Sequence, residues 1–119
     1  MMSKKDMKGI KLYVANPYGT KVLMVKDCRL YHKYYLELTK AKSGVPGYAD
    51  GVTHQLETED EMLILIGWFK PWKVSTLAHE CSHAAFRICG RIGIDLEFDN
   101  NEAHAYLLSD MMDRFLGVK

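Results

Sequence analysis

Three cysteines in 119 residues, none arranged as C-x-x-C, offer neither a disulfide framework nor a zinc knuckle, and suit reduced thiols in a reducing compartment. Long apolar runs are also lacking. The longest, Met62 to Phe69, falls far short of the roughly 20 residues that span a bilayer, and the lysine-bearing stretch Met1 to Lys11 has no apolar signal-peptide core after it. The expectation is a soluble, cytoplasmic protein with no membrane partner. Charge of one sign is missing too: 16 basic and 15 acidic residues, well mixed, leave +1 and no nucleic-acid footprint. The one basic cluster, Lys4, Lys5, Lys8 and Lys11, falls at the terminus, where residues 1–8 are expected to form a flexible tail. No repeat or low-complexity segment divides the chain, so residues 1–119 read as one domain with a single core.

Local patterns predict an α+β fold. Lys11 to Ala15 is apolar-rich and stops at the turn formers Asn16-Pro17-Tyr18-Gly19, and the β-branched run Thr20 to Val25 follows, which together read as a hairpin. In Asp27 to Lys42, Leu30, Tyr31, Tyr34, Tyr35 and Leu38 recur at helical spacing. Ser43 to Gly51 is a glycine-rich loop, Val52 to Glu57 a strand, Thr58 to Glu61 an acidic turn, and Met62 to Phe69 a further strand. That last strand directly precedes the most informative part of the chain, and is expected at the rim of a cleft where an extended peptide could pair with it.

The stretch Lys73 to Gly93 carries His79-Glu80-Cys81-Ser82-His83, an H-E-x-x-H motif within a helical pattern. Residues i and i+4 of a helix lie one above the other, so His79 and His83 can offer two imidazole nitrogens to one metal ion. Glu80 is about 100° further round, within reach of a water at that ion but poorly placed as a ligand. Pro71 and Ser75 favour a helix start, and Gly90 and Gly93 a stop near Arg91. The helical wheel groups His79, His83 and Phe86 on a front, and Leu77, Ala78, Cys81, Ala85, Ile88 and Ile92 on an apolar back. Cys81 and Cys89 therefore read as core residues, not ligands. Ile94 to Phe98 is a short connection, and Asp99, Asn100 and Asn101 are competent caps for a second helix running to Leu116 near Gly117. Its expected apolar stripe is Ala105, Leu108, Met111, Met112, Phe115 and Leu116.

A catalytic zinc needs a third protein ligand and an open fourth position. Glu102 and His104 both lie at edges of the second helix's stripe and project about 200° apart, so only one can face the cleft, and the pattern leaves the choice open. Here the chain resembles a known family. H-E-x-x-H followed nineteen positions after His83 by Asn101-Glu102-Ala103 is similar to the gluzincin pattern of thermolysin-like peptidases. The likeness covers Val74 to Leu116. In size and in its N-E-A-x-A-Y helix the chain looks like the minimal gluzincins and small zinc peptidases of bacteriophages. The resemblance implies a small zincin-like domain, in which a short, mainly antiparallel sheet packs on the H-E-x-x-H helix and a C-terminal ligand-bearing helix. It further implies one Zn²⁺ held by His79, His83 and Glu102, with Glu80 as general base, a peptide or protein substrate, and the cytoplasm of a bacterial host. If His104 is the third ligand instead, the closer likeness is to SprT-like proteases.

The chain departs from that pattern at Tyr106, where thermolysin-like enzymes carry an aspartate that braces a zinc histidine; Asp99 and Asp110 are alternative braces. Phe86 and Cys89 stand where metzincins have glycine and a third histidine, which excludes that class. Tyr106 itself has two readings: a donor to the tetrahedral oxyanion, or packing against His83. His32 and His54, in apolar or aromatic surroundings, read as ordinary polar residues. The rival function from another class is a metal-binding adaptor without turnover, against which the intact Glu80 speaks.

Overall fold

The computed structural model describes residues 9–15, 19–39, 50–57, 62–91 and 102–117. Expectations for residues 1–8, the turn at 16–18, the loop 43–49, the turn 58–61, Ile92, the connection 94–98 and the caps at 99–101 lie outside them. The elements in order are β1 (Ile10–Ala15), β2 (Thr20–Val25), α1 (Cys28–Thr39), β3 (Gly51–Glu57), β4 (Met62–Trp68), α2 (Val74–Arg91) and α3 (Glu102–Leu116). The fold is α+β, a mixed four-stranded sheet in the order β1-β2-β4-β3 with three helices. β1 and β2 form the expected antiparallel hairpin, β3 pairs antiparallel with β4, and β2 and β4 run parallel.

The pairing corrects one expectation. Met62–Trp68 is not at a rim: Ile64 sits between Val22 of β2 and Gln55 of β3, so the strand's main chain is hydrogen-bonded on both sides. Its unbroken apolar run is the cause. Ile64 and Ile66 enter the core beneath α2 and α3, while Leu65 enters the core beneath α1, so both faces are buried. The edge nearest α2 belongs to β3.

Strand alternation distributes the rest of the packing. Tyr13, Ala15, Val22, Met24, Ile64, Ile66 and Trp68 meet Leu77, Cys81, Ala84, Ala85 and Ile88 of α2 and Leu107, Met111 and Phe115 of α3. On the other face Val25, Leu65 and Phe69 meet Tyr31 of α1. α1 is capped by Asp27, whose Oδ1 accepts from the Leu30 amide at 3.0 Å. α3 ends at Gly117, whose φ of 81° is the left-handed conformation that glycine adopts without penalty. The α3 stripe is rotated from its expected position: Ala103 and Leu107 pack inward, whereas Ala105 and Leu116 are exposed.

The turn from β4 into α2 is pinned by its tryptophans, which sets where the H-E-x-x-H helix begins. Trp68 Nε1 donates to the Lys73 carbonyl at 2.8 Å and Trp72 Nε1 to the Lys26 carbonyl at 3.2 Å. Lys26 Nζ lies 5.3 and 5.4 Å from the two indole rings, within cation–π range.

Candidate metal centre and its cleft

α2 separates its two faces as its periodicity predicts. Leu77, Cys81, Ala85 and Ile88 are buried, and His79, His83 and Phe86 are exposed. Burial pushes the Cys81 thiol up to about 12, with the charge of Glu80 adding to the effect, so it stays a protonated core group. Cys89, likewise buried, is shifted in the same direction by desolvation.

On the front, the imidazoles of His79 and His83 converge, with Nε2 atoms 3.1 Å apart. Two nitrogens bound to one tetrahedral zinc at about 2.0–2.1 Å stand roughly 3.3 Å apart, so the pair fits two corners of such a site. Glu80 is the surprise of this helix: at 7 % exposure it is buried, because β3 covers it. Thr53 Oγ1 donates to Glu80 Oε1 at 2.7 Å, and Oε2 has no protein partner among the described residues. His79 and Glu80 line one open cleft of about 280 Å³ with Asp50, Gly51, Ser75 and Thr76. Asp50 reaches Lys73 across 3.9 Å at the surface, a pair that contributes little in water.

The chain thus brings His79, Glu80 and His83 together, and does not bring Glu102 or Tyr106 to them. Glu102, the first residue of α3, is exposed and makes no hydrogen bond or ion pair among the described residues. Among those residues no group of three His, Cys, Asp or Glu side chains is arranged to hold a metal ion. His104 instead faces α2, where its ring packs on Phe86 at 4.4 Å and Nε2 lies 3.2 Å from the Ser82 carbonyl and 3.3 Å from Ser82 Oγ. Tyr106 is 64 % exposed and close enough to Tyr13 to influence its ionisation.

Of the two candidate braces, Asp99 lies outside the described residues. Asp110 accepts a hydrogen bond from Tyr13 at 3.0 Å. His54 occupies the α1 side of the sheet, 2.7 Å from the Tyr31 hydroxyl and with its ring tilted against that of Tyr35 at 4.5 Å; desolvation, then Arg87, lowers its pKa. Sequence reasoning missed Asp50, Gly51 and Thr53. Alternation along β3 puts Gly51, Thr53, Gln55 and Glu57 on one face, but nothing in that pattern says that α2 lies against it. The structure adds the rungs: Arg87 donates to Gln55 at 2.9 Å, and Arg91 reaches Glu57 at 3.5 Å.

No helix among the described residues is long and apolar enough to cross a membrane. No protein-family model, curated protein or solved structure matches the chain.

Proposed function

We propose that the chain is a zinc-dependent peptidase of gluzincin type, with His79, His83 and Glu102 as ligands and Glu80 as general base. The observation that carries this reading is the convergence of two imidazole nitrogens 3.1 Å apart, with the buried carboxylate next to His79 in sequence lining a cleft together with that histidine. Bound there, zinc supplies Lewis acidity that lowers a water's pKa from about 16 towards about 7 and polarises a carbonyl. Glu80 takes a proton from the attacking water on Oε2 and returns it to the leaving amine. β3, an edge of the sheet whose residues contact α2, is the strand along which an extended peptide would add its main-chain hydrogen bonds.

The assignment of Glu102 rests on the Asn101-Glu102-Ala103 likeness, and it requires the exposed carboxylate at the start of α3 to turn to the histidines when the ion binds. One observation favours a second arrangement: His104 already faces α2, with Nε2 beside Ser82, the residue before His83. The reading gives Tyr106 no step. Three free cysteines suit a cytoplasmic setting.

Glu80→Gln tests the proposal, with zinc content read by metal analysis and hydrolysis on a quenched-fluorescence peptide library. The variant should hold zinc as wild type does while its turnover drops on the order of 100- to 10,000-fold. Turnover within a few fold of wild type would remove Glu80 as base. A wild type that binds zinc and cleaves nothing would favour the adaptor.

A further inference from the structure

Glu80 is held from outside its own helix, and the holding groups come from β3. Thr53 Oγ1 lies 2.7 Å from Glu80 Oε1 and 3.2 Å from the Glu80 carbonyl oxygen. Two residues earlier on the same strand face, Gly51 approaches so closely that a Cβ there would stand 3.1 Å from Glu80 Cγ. The outcome is an asymmetric carboxylate, with Oε1 anchored and Oε2 without a protein partner among the described residues.

From this geometry we infer that Thr53 is a positioning residue that fixes the plane of the Glu80 carboxylate and reserves Oε2 for proton transfer. The inference rests on the peptidase reading for its catalytic consequence. The terminal torsion of a glutamate is broad and roughly two-fold, so the helix alone does not choose between the two oxygens. A hydroxyl donating its proton to one of them does. Thr53 suits that task because a β-branched side chain is stiff at χ1, and its backbone is fixed by the ladder that pairs it with Ile66. A base held in one orientation loses no time in unproductive rotamers, which is how a supporting residue raises turnover without touching substrate.

Thr53→Val keeps the shape and removes the hydroxyl, and Thr53→Ser keeps the hydroxyl. In crystals of the Thr53→Val protein, the Glu80 carboxylate should leave its wild-type orientation or split between two, with His79 and His83 unmoved; in Thr53→Ser it should stay. In kinetics, Thr53→Val should lower kcat by about 10- to 100-fold at near-constant KM and zinc affinity, and Thr53→Ser should recover most of it. A Glu80 carboxylate that keeps its place in Thr53→Val overturns the inference, whatever the activity. So does a kcat within about twofold of wild type. If the wild type proves to have no peptidase activity, the function proposed above fails, while the carboxylate orientation in the two variants still decides the role of Thr53.

Discussion

The rings of His79 and His83 meet edge to face, their planes at 88° and centroids 4.7 Å apart, with both Nε2 atoms turned to one point. Both side chains are exposed, so the pair contributes little to the core and is open to an ion arriving from solvent. His79→Ala and His83→Ala should each lower zinc affinity by on the order of 100-fold or more, beyond the loss typical of removing a partner of a ligand. Glu102→Ala should do the same, and His104→Ala should leave it near wild type. Calorimetric titration checks all four, and the reverse order for the last two would make His104 the third ligand.

A methyl group at position 51 has nowhere to go. Its Cβ would lie 2.8 Å from Thr76 Cγ2, 3.0 Å from the Gly67 carbonyl oxygen and 3.1 Å from Glu80 Cγ, and the Gly67 contact is backbone. Gly51→Ala should therefore cost about 1–3 kcal/mol in stability by overpacking. Urea denaturation measures it, and an unchanged midpoint would show that β3 can retreat from α2.

The thiols should separate cleanly in the folded protein. Cys28 is exposed, whereas Cys81 and Cys89 are fully buried and burial raises both of their pKa values. A disulfide reagent near pH 8 should modify one thiol per chain promptly, and all three after unfolding. Prompt loss of two or more would mean that the helix back opens readily.

Tyr13 ties β1 to α3 through Asp110. Burial, then the hydrogen bond and charge of Asp110, raise its pKa in the folded state above the ordinary value near 10. A group raised on folding contributes stability that is fully present below its unfolded pKa and lost as pH rises through the folded one. Unfolding midpoints from about pH 8 to about pH 11 should thus fall more steeply for wild type than for Tyr13→Phe, which should also lose about 1 kcal/mol at neutral pH. Parallel curves would remove Tyr13 as the source.

Much of this was legible in the chain. The turn formers after Ala15 announced the first hairpin, tyrosines and leucines at helical spacing announced α1, and the wheel placed Cys81 at the back and both histidines at the front of α2. What stayed hidden depended on contacts far apart in sequence. Periodicity tells which face of an element is apolar and not what lies against it, so the burial of Glu80 beneath β3 and the contact with Thr53 had no local signal. The apolar run at Met62 is readable as a strand, and its unbroken apolar character, with both faces buried, belongs to a central strand and not to a rim. In α3 the apolar residues are frequent enough to support two stripes, and packing chose the one through Ala103 and Leu107 over Ala105 and Leu116.

The parallel pairing of β2 with β4 joins segments far apart in the chain. The β1–β2 hairpin closes through neighbouring residues, but Val22 and Ile64 are separated in the chain by α1 and β3. Closing so long a loop costs entropy before any contact repays it, whereas the hairpin closes locally. The grip on the Glu80 carboxylate needs β3 and the H-E-x-x-H helix in contact, because Thr53 and Glu80 lie on separate elements. A chain without the completed sheet holds the H-E-x-x-H residues without the Thr53 contact on Glu80.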